Sequence, residues 1–468
     1  MLTTLEQAHV AAQQENWSLL NQHLQQLPLS KRSKDSPSLG EPDCQQALHL
    51  ALQVIEAGDF QEKWDAAKVF PKLGKRSIAP LIAIVENEAA DLDVRWFASR
   101  ILGEFDDPLV VISLVELLQS AEDEDLAKIA AQALSNIGSS AITALSSLLE
   151  EEESRYLAVQ ALAHIRRPET IAPLLTVVHD PLPSIRSTAI EALISFRDRR
   201  ILPVLLEALQ DPAAAVRKEA VIGLGLRGRT LPESEVVNYL KPLLYDFNPE
   251  VCQQAAIALG RLGSDKAAEA LFPVIKSPAT PILLKIEFVR ALSWVQTPVA
   301  LEYLQQALTW TPPEVCQEII TVLGRVELAQ LKSQATQILI EFFASTQFDV
   351  GAFAQHGALA AKHLGDNSST KPKVYSPNAL PSDSLRIDPS FKLALAMSLG
   401  QLGEAKALEA LIKLLEDPDL TVRLHAIAAL KNIPGAHTRL QQYEADENLA
   451  PMLKQGIAIA LAEWSHRH

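Results

Sequence analysis

The chain has 468 residues, of which 48% are hydrophobic, 21% charged and 5% aromatic, so its apolar content is mainly aliphatic. This composition excludes disorder and collagen-like structure. The formal charge of −15, from 42 basic and 57 acidic residues, argues against a protein that binds nucleic acid or anionic lipid over its whole surface. A chain of this length forms about two to four globular domains unless an internal repeat extends one architecture.

Cysteine usage and the N-terminus indicate the compartment. Cys44, Cys252 and Cys316 are too few and too scattered for a disulfide framework or a four-thiolate metal site. No basic residue precedes Lys31, so the start lacks the charged segment of a secretory signal. No run of about 18 uncharged apolar residues occurs, so we expect no membrane insertion. We therefore predict a cytoplasmic protein.

In chain order, residues 1–27 have the apolar spacing of a helical hairpin, which we expect to cap the rest of the fold, and residues 28–43 are a polar linker. Two blocks of repeats at 44–365 and 390–464 then flank an inserted loop at 366–389, and residues 465–468 form a tail. The insert is rich in Asn, Ser, Pro and Lys. We interpret it as a surface insertion, with a partner-binding tongue as the alternative.

The repeat is an apolar residue, then Arg or a substitute, then small or apolar residues three, six and seven positions later, as around Arg186. This apolar spacing is that of an amphipathic helix. Each copy is therefore a helical hairpin that must stack on its neighbours. With the Arg position as an anchor, thirteen copies occur at a mean period near 33 residues: Lys63, Arg95, Ala127, Arg155, Arg186, Arg217, Cys252, Lys285, Cys316, Ala354, Lys392, Arg423 and Lys454.

Turn residues separate the predicted helices. Asp-Pro pairs such as Asp180-Pro181 and Asp417-Pro418 precede anchored helices, where Pro ends one helix and Asp caps the next. Gly at the far end, as in Leu102-Gly103 and Leu402-Gly403, favours a left-handed turn into the following pair.

The motif D-P-x-x-x-V-R-x-x-A-x-x-A-L-G-x-L-G, seen around 211–225, 251–263 and 417–433, resembles the HEAT-like repeat of the phycobilisome-lyase type (phycobilin lyase E/F-like). The resemblance covers about residues 45–464 and implies an all-α fold, an α-solenoid or superhelix of about 12–13 short HEAT-like hairpins. It is weak evidence for function, because the family includes bilin lyases, phycobilisome-associated factors, assembly scaffolds and plain binding modules.

We predict no catalytic residues and no metal site. HEAT-like deoxyhypusine hydroxylases need several His-Glu dipeptides, and none of the eleven histidines is followed by Glu. His356 and His363 lie seven apart on one predicted helical face without a carboxylate at ligand spacing. Cys252 and Cys316 occupy anchor positions, which favours packing. The anchor Arg residues are expected to bind an Asp or a helix C-terminal carbonyl of the adjacent repeat as a structural ladder.

Side chains one, five and nine positions after the anchor form a stripe along each second helix, the helix that lines the concave side of HEAT-like stacks. The stripe is rich in basic and aromatic residues despite the acidic total. Acidic residues in the next column and half-buried packing of the rings are the alternative explanation. The candidate binding residues are Trp64, Lys68, Trp96, Arg100, Lys128, Tyr156, His164, Lys218, Arg261, Arg290, Trp294 and Arg325, with Asp65 beside the first Trp.

We expect a non-enzymatic scaffold or assembly factor of a phototroph, which holds a protein that is acidic or carries an acidic or aromatic-binding segment, without nucleic acid or cofactor. The resemblance implies an alternative, a phycobilin lyase or lyase-like bilin chaperone that positions an open-chain tetrapyrrole, with Asp65 near Trp64 and Trp96 as the carboxylate to test. A lesion-binding protein resembling the alkylpurine glycosylases is disfavoured by the acidic charge and the absence of a basic tail.

Overall fold

The computed structural model describes residues 3–28, 40–227, 231–348, 389–446 and 448–465. Every regular element within these ranges is a helix, and no strand occurs there, which confirms the all-α class. The chain divides into two units, residues 1–220 and 221–468, each a stack of helical hairpins. Most of the predicted linker, nearly all of the predicted insert, the Ala354 anchor, His356 and His363 lie outside the described residues.

In the first unit, the anchored second helices α4, α7, α9, α11 and α13 pack against one another in that order, and the other helices form an outer layer. The α1–α2 hairpin covers α4, where Asn21 Nδ2 donates to the Glu62 carbonyl at 2.8 Å. Helix α3 begins inside the range predicted as linker. The helices are α1 (Thr4–Gln13), α2 (Trp17–Gln26), α3 (Glu41–Ala57), α4 (Phe60–Ala67), α5 (Phe70–Leu73), α6 (Ile78–Glu86), α7 (Leu92–Leu102), α8 (Pro108–Ser120), α9 (Glu124–Ile137), α10 (Ile142–Ser147), α11 (Glu152–Ile165), α12 (Ile171–Thr176), α13 (Pro183–Ile194) and α14 (Ile201–Ala208).

Helix α15 (Ala214–Leu226) contains the division between the units. In the second unit the anchored helices α17, α19, α21, α23 and α25 again pack in series. The helices of this unit are α16 (Glu233–Leu240), α17 (Pro249–Leu262), α18 (Asp265–Lys276), α19 (Ile282–Val295), α20 (Pro298–Ala307), α21 (Pro313–Gly324), α22 (Ala329–Phe348), α23 (Pro389–Leu402), α24 (Leu408–Lys413), α25 (Leu420–Leu430), α26 (Ala436–Glu444) and α27 (Pro451–Ser465).

Helix α23 packs directly on α21, although some 60 residues separate them in the chain. Ser398 Oγ donates to the Ile320 carbonyl at 2.9 Å, and a Cβ on Gly324 would lie 2.5 Å from the Ser398 Cβ. Helices α21 and α23 are therefore neighbours in the series of anchored helices, and α22 packs against both. The repeat predicted at the Ala354 anchor lies outside the described residues.

Glycines on the second helices serve two different purposes. Gly263 and Gly403 adopt φ of +70°, as predicted for left-handed helix ends. Gly103 does not, because its φ is −60°. A Cβ on Gly103 would lie 2.8 Å from the Cα of Ala133, so this glycine permits close approach of α7 and α9 instead. The prediction of a left-handed turn at Gly103 is corrected accordingly.

The anchor cations tie successive repeats together. Arg186 donates from Nε and Nη2 to both carboxylate oxygens of Asp211, at 2.8 and 2.7 Å, and from Nη1 to the Asp180 carbonyl at 2.8 Å. Arg155 reaches Asp180 at 3.1 Å in the same way, and Lys392 pairs with Asp417. These contacts confirm the predicted ladder, with one difference: the carbonyls belong to the turn that precedes the same helix.

Each turn Asp that accepts an anchor cation also closes its own turn. Asp211 Oδ1 accepts from the Ala213 N–H at 2.8 Å, and Asp180 Oδ1 accepts from the Leu182 N–H at 2.8 Å. Burial raises the pKa of Asp211, but the bonds from Arg186 and Ala213 outweigh it, so the pKa lies below its usual value. One carboxylate thus fixes both a turn and the contact with the preceding repeat.

The anchor cysteines also bond to carbonyls of the turn before their own helix, but as neutral thiols. The Cys252 thiol donates to the Asp246 carbonyl at 3.1 Å, and the Cys316 thiol donates to the Thr311 carbonyl at 3.3 Å. Burial raises the pKa of both thiols, so both are held as neutral packing groups. Arg423 departs from the ladder, since its Nε is buried without a partner among the described residues.

Removal of the charge on Asp211 tests the ladder. Asp211→Asn keeps an oxygen for the Ala213 N–H but leaves Arg186, whose side chain is 11% exposed, without a counterion. We expect a loss of about 3 kcal/mol in the free energy of unfolding near pH 7. Because the pKa of Asp211 is depressed, this contribution disappears as the pH falls through that folded-state pKa, and the gap between the two proteins closes. Urea titrations across pH measure it, with the exposed Asp125→Asn as a control that changes nothing.

Lys285 is an anchor cation that, among the described residues, lacks the ion pair with the next repeat that Arg186 forms. It is 7% exposed, and within the described residues no carboxylate pairs with it, because Trp310 stands where the turn Asp would be. Burial lowers its pKa below the usual 10.5. We expect Lys285→Met to raise the free energy of unfolding by about 1 kcal/mol at pH 7. Since a depressed lysine pKa makes the wild type gain stability as pH rises toward 10.5, the advantage of the variant should shrink in alkaline urea titrations. A Lys285→Met variant that is less stable than the wild type would contradict the interpretation that Lys285 carries an uncompensated charge.

Candidate functional site

Four aromatic rings from α4 and α7 form a cluster on the second helices of the first unit. Phe60 stacks on Trp64 with 6.1 Å between ring centroids, and meets Phe97 edge-on at 5.2 Å. Trp96 meets Phe97 edge-on at 5.1 Å. Phe97 is buried, while Phe60 keeps 65% of its surface exposed. The cluster therefore has a fixed base and an open edge.

The open edge forms one wall of a groove between α4, α7 and α9, which we call the aromatic groove. It encloses about 550 Å³. Its apolar walls are Phe60, Leu92, Trp96, Phe97, Leu126 and Ile129, and its polar groups are Asp93, Asp123, Asp125, Lys128 and Gln132. An apolar floor with a few polar groups at the rim is typical of sites that hold one side chain of a partner.

A smaller groove of about 140 Å³ continues the surface between α9 and α11. Lys128 and Gln132 line both grooves, and His164 and Gln160 complete the second one. Tyr156 on α11 is 40% exposed. The structure thus brings together the part of the predicted stripe that runs from Trp96 to α11.

The two tryptophan rings among the candidate binding residues, Trp64 and Trp96, have different surroundings. The Arg100 guanidinium carbon lies 3.8 Å from the centroid of the Trp64 ring, so a cation covers that ring. Trp64 does not line the aromatic groove, and Phe60 faces Trp96 there instead. Of the two tryptophans among the candidate binding residues, only Trp96 lines the aromatic groove, and it does so together with Phe60.

The basic excess predicted for the stripe is largely neutralised by neighbouring acids. Lys68 binds Asp65 at 2.7 Å, which lowers the pKa of that carboxyl. Lys128 binds Glu124 at 2.8 Å, and this bond raises the pKa of the ammonium. Arg290 on α19 is held by Glu287 and Glu318, each at 2.8 Å. The rim of the aromatic groove holds three Asp side chains and one Lys, but the buried Lys63 pairs with Asp93 and Lys128 lies 3.8 Å from Asp125, so neither sign of charge is in large excess there.

The remaining predicted residues lie apart from the aromatic groove. Lys218 lies on α15, on the first unit's side of the division. Four residues belong to second helices, or their ends, in the second unit, where Trp294 is 45% exposed: Arg261, Arg290, Trp294 and Arg325.

Sequence reasoning missed Phe60, Leu92, Asp93 and Asp125, yet their positions carry a pattern. Phe60 and Leu92 stand three residues before the anchors Lys63 and Arg95, which is one helical turn before the first stripe position. Extending the stripe back by one turn would have found both apolar walls and shown the acids beside them.

Within the described ranges, we find neither a metal-binding group of side chains nor a helix that could span a membrane. No group of three or more His, Cys, Asp or Glu side chains there could hold a metal ion. No helix among these residues is long and apolar enough to cross a bilayer.

The fold and its anchored surface define the class, an α-solenoid of stacked hairpins. The HEAT repeats family matches residues 48–135, 78–157, 142–225, 202–285, 237–324 and 386–465. These matches cover more than half of the chain, so the chain belongs to the HEAT-repeat family.

Solved structures with a similar chain include a Kap121p mutant, at 12% identity and a TM-score of 0.52, which covers 92% of this chain and 50% of that chain. Kap95p, from a structure that concerns its binding to RanGDP, aligns at 12% identity and a TM-score of 0.45, over 95% of this chain and 57% of that chain. Human deoxyhypusine hydroxylase aligns at 18% identity and a TM-score of 0.25, over 53% of this chain and 95% of that chain. The likeness to Kap121p shows the fold alone. No curated protein matches the chain.

Proposed function

We propose that this chain is a non-enzymatic scaffold that holds a protein partner on the second helices of its first unit. The observation that carries the proposal is the aromatic groove, where the Phe60 ring, 65% exposed, stands edge-on against the buried Phe97 ring. Rigid aromatic anchors in a concave site supply a large share of the binding energy at protein interfaces.

The charges at the rim refine the partner. Asp123 and Asp125 stand at the start of α9, where only Lys128 opposes them. A partner segment that places an apolar side chain in the groove therefore fits best when a Lys or Arg comes directly after it. The acidic partner expected from the stripe would not be favoured at this groove, and any acidic segment of the partner must dock elsewhere.

A bilin chaperone is the alternative under the resemblance to phycobilin lyases. Asp65, the carboxylate expected to face the pyrrole nitrogens, is already held by Lys68 at 2.7 Å and by Gln61 at 3.2 Å, and it does not line the groove. Asp93 is paired with Lys63, so Asp125, whose side chain is 83% exposed, is the carboxylate that would meet a tetrapyrrole there. A role in a phototroph and a cytoplasmic location likewise remain parts of the proposal.

Crosslinking from the groove tests the proposal. A photoreactive phenylalanine analogue at Gln132, used in the native cell extract, should capture one defined segment of a partner, identified by mass spectrometry. Binding of that segment as a purified peptide should weaken by about 2 kcal/mol in Phe60→Ala/Trp96→Ala. Phe60→Lys serves as a second variant, because a ring that is 65% exposed can be replaced without loss of fold.

The matched control is Tyr239→Ala/Phe247→Ala, which removes two exposed rings from the second unit and should leave peptide affinity unchanged. Equal losses in both doubles, or none in either, would contradict binding at the aromatic groove. A red-shifted, sharpened absorption band of added bilin that Phe60→Lys abolishes would favour the chaperone instead.

A further inference from the structure

A group of arginines lies at the opposite ends of the second helices from the rim acids. Arg166 and Arg167 come directly after α11, and Arg197 and Arg199 stand in the loop between α13 and α14. All four are exposed, and within the described residues none of their side chains forms a salt bridge or a hydrogen bond, although Arg199 interacts electrostatically with Asp198. Four such guanidinium groups in two neighbouring loops are unexpected in a chain of charge −15.

The two loops are close enough for their charges to act together. Helices α11 and α13 pack against each other, and packed helices lie about 8–10 Å apart. This spacing is comparable to the Debye length of roughly 8 Å at physiological salt, so the fields of the two loops add. Nearby acids offset only part of this charge: Asp198 is held mainly by Arg200 at 2.9 Å and also interacts with Arg199, which together lower its pKa to about 2, and Glu169 is a single exposed carboxylate.

The backbone at Arg166 gives a way to separate binding from stability. Arg166 ends α11 in the left-handed conformation, with φ 49° and ψ 42°. Gly138 and Gly263 end the equivalent helices α9 and α17 with positive φ, where glycine carries no steric cost. Arg166 therefore carries a local backbone strain, as Gln296 does at the end of α19, and a glycine would relieve it.

We propose that these four arginines, the arginine patch, bind an acidic segment of a protein partner. The planar guanidinium fork matches a carboxylate in bidentate geometry, and side chains without internal hydrogen bonds are free to form it. A polyphosphate backbone fits less well, because the acids at the helix starts of the same unit would repel its continuation. The inference does not depend on the aromatic groove.

The arginine patch also has a structural explanation, since cations near helix C-termini stabilise the helix dipole. Under that explanation alone, loss of Arg166 would destabilise the protein and leave affinity for anions unchanged. Under the proposal, Arg166→Gly relieves the left-handed strain and removes one contact, so stability and affinity change in opposite directions.

A short fluorescent poly-glutamate peptide, titrated at low and at physiological salt, serves as the probe for the full-length protein. Arg167→Glu/Arg199→Glu should weaken its binding about tenfold. Lys72→Glu/Lys75→Glu changes the net charge of the same unit by the same amount and should have little effect. Equal weakening in both doubles would overturn the proposal, because it would show attraction to total charge.

Arg166→Gly should weaken the peptide complex several-fold while raising Tm by about 2 °C. Gln296→Gly is the matched control, because Gln296 ends α19 with the same φ of 49°. It should raise Tm without any change in affinity. A fall in Tm with unchanged affinity for Arg166→Gly would leave only the structural explanation. Tighter binding of a DNA oligonucleotide of equal charge, sensitive to the same variants, would overturn the choice of a protein segment.

Discussion

The pairing between an anchor cation and the turn Asp of the next repeat sets the geometry on which the rest of each unit depends. Asp211 illustrates why one residue suffices, since it accepts the N–H that closes its own turn and both prongs of Arg186. A cation fixed at both ends allows little rotation of its helix. The energy of the stack comes from burial of aliphatic faces, because a largely buried ion pair contributes little net stability. What the ion pair adds is a fixed register between neighbouring repeats.

Because the register of the stack is fixed, the type of residue at an anchor position is related to the presence of an acid in the next turn. The turn of the repeat after Cys252 runs from Ser277 to Thr280 and carries no acid, and the anchor there is a thiol that satisfies only the local carbonyl. Arg186 and Lys392, by contrast, each have an acid in the next turn. Lys285 breaks this correspondence. A largely buried ammonium without a counterion among the described residues is the costliest of the observed combinations.

Much of the fold could be predicted because it depends on spacing along one helix. The period, the hairpins and the role of Cys252 can be read from residues a few positions apart, and the role of Arg186 can be read from the turn Asp that recurs in the next copy of the repeat. The role of Gly103 could not, because its contact with Ala133 lies across two repeats. The same limit applies to the site. The Lys68–Asp65 pair lies within one helical turn, whereas the cover of Trp64 by Arg100 depends on the offset between α4 and α7, which no single repeat encodes.

The charge distribution of the first unit has its origin in the same register. Second helices in a stack of hairpins run parallel, so the acids that favour helix starts line one edge, as Asp93 and Asp125 do. Basic residues that favour helix ends line the other edge, as Arg166 and Arg197 do. A preference worth a fraction of a kcal/mol in one helix thereby becomes a property of a whole surface. A net charge of −15 conceals this polarity. Under the two proposals above, an extended partner would lie with its basic part toward the helix starts and its acidic part toward the helix ends.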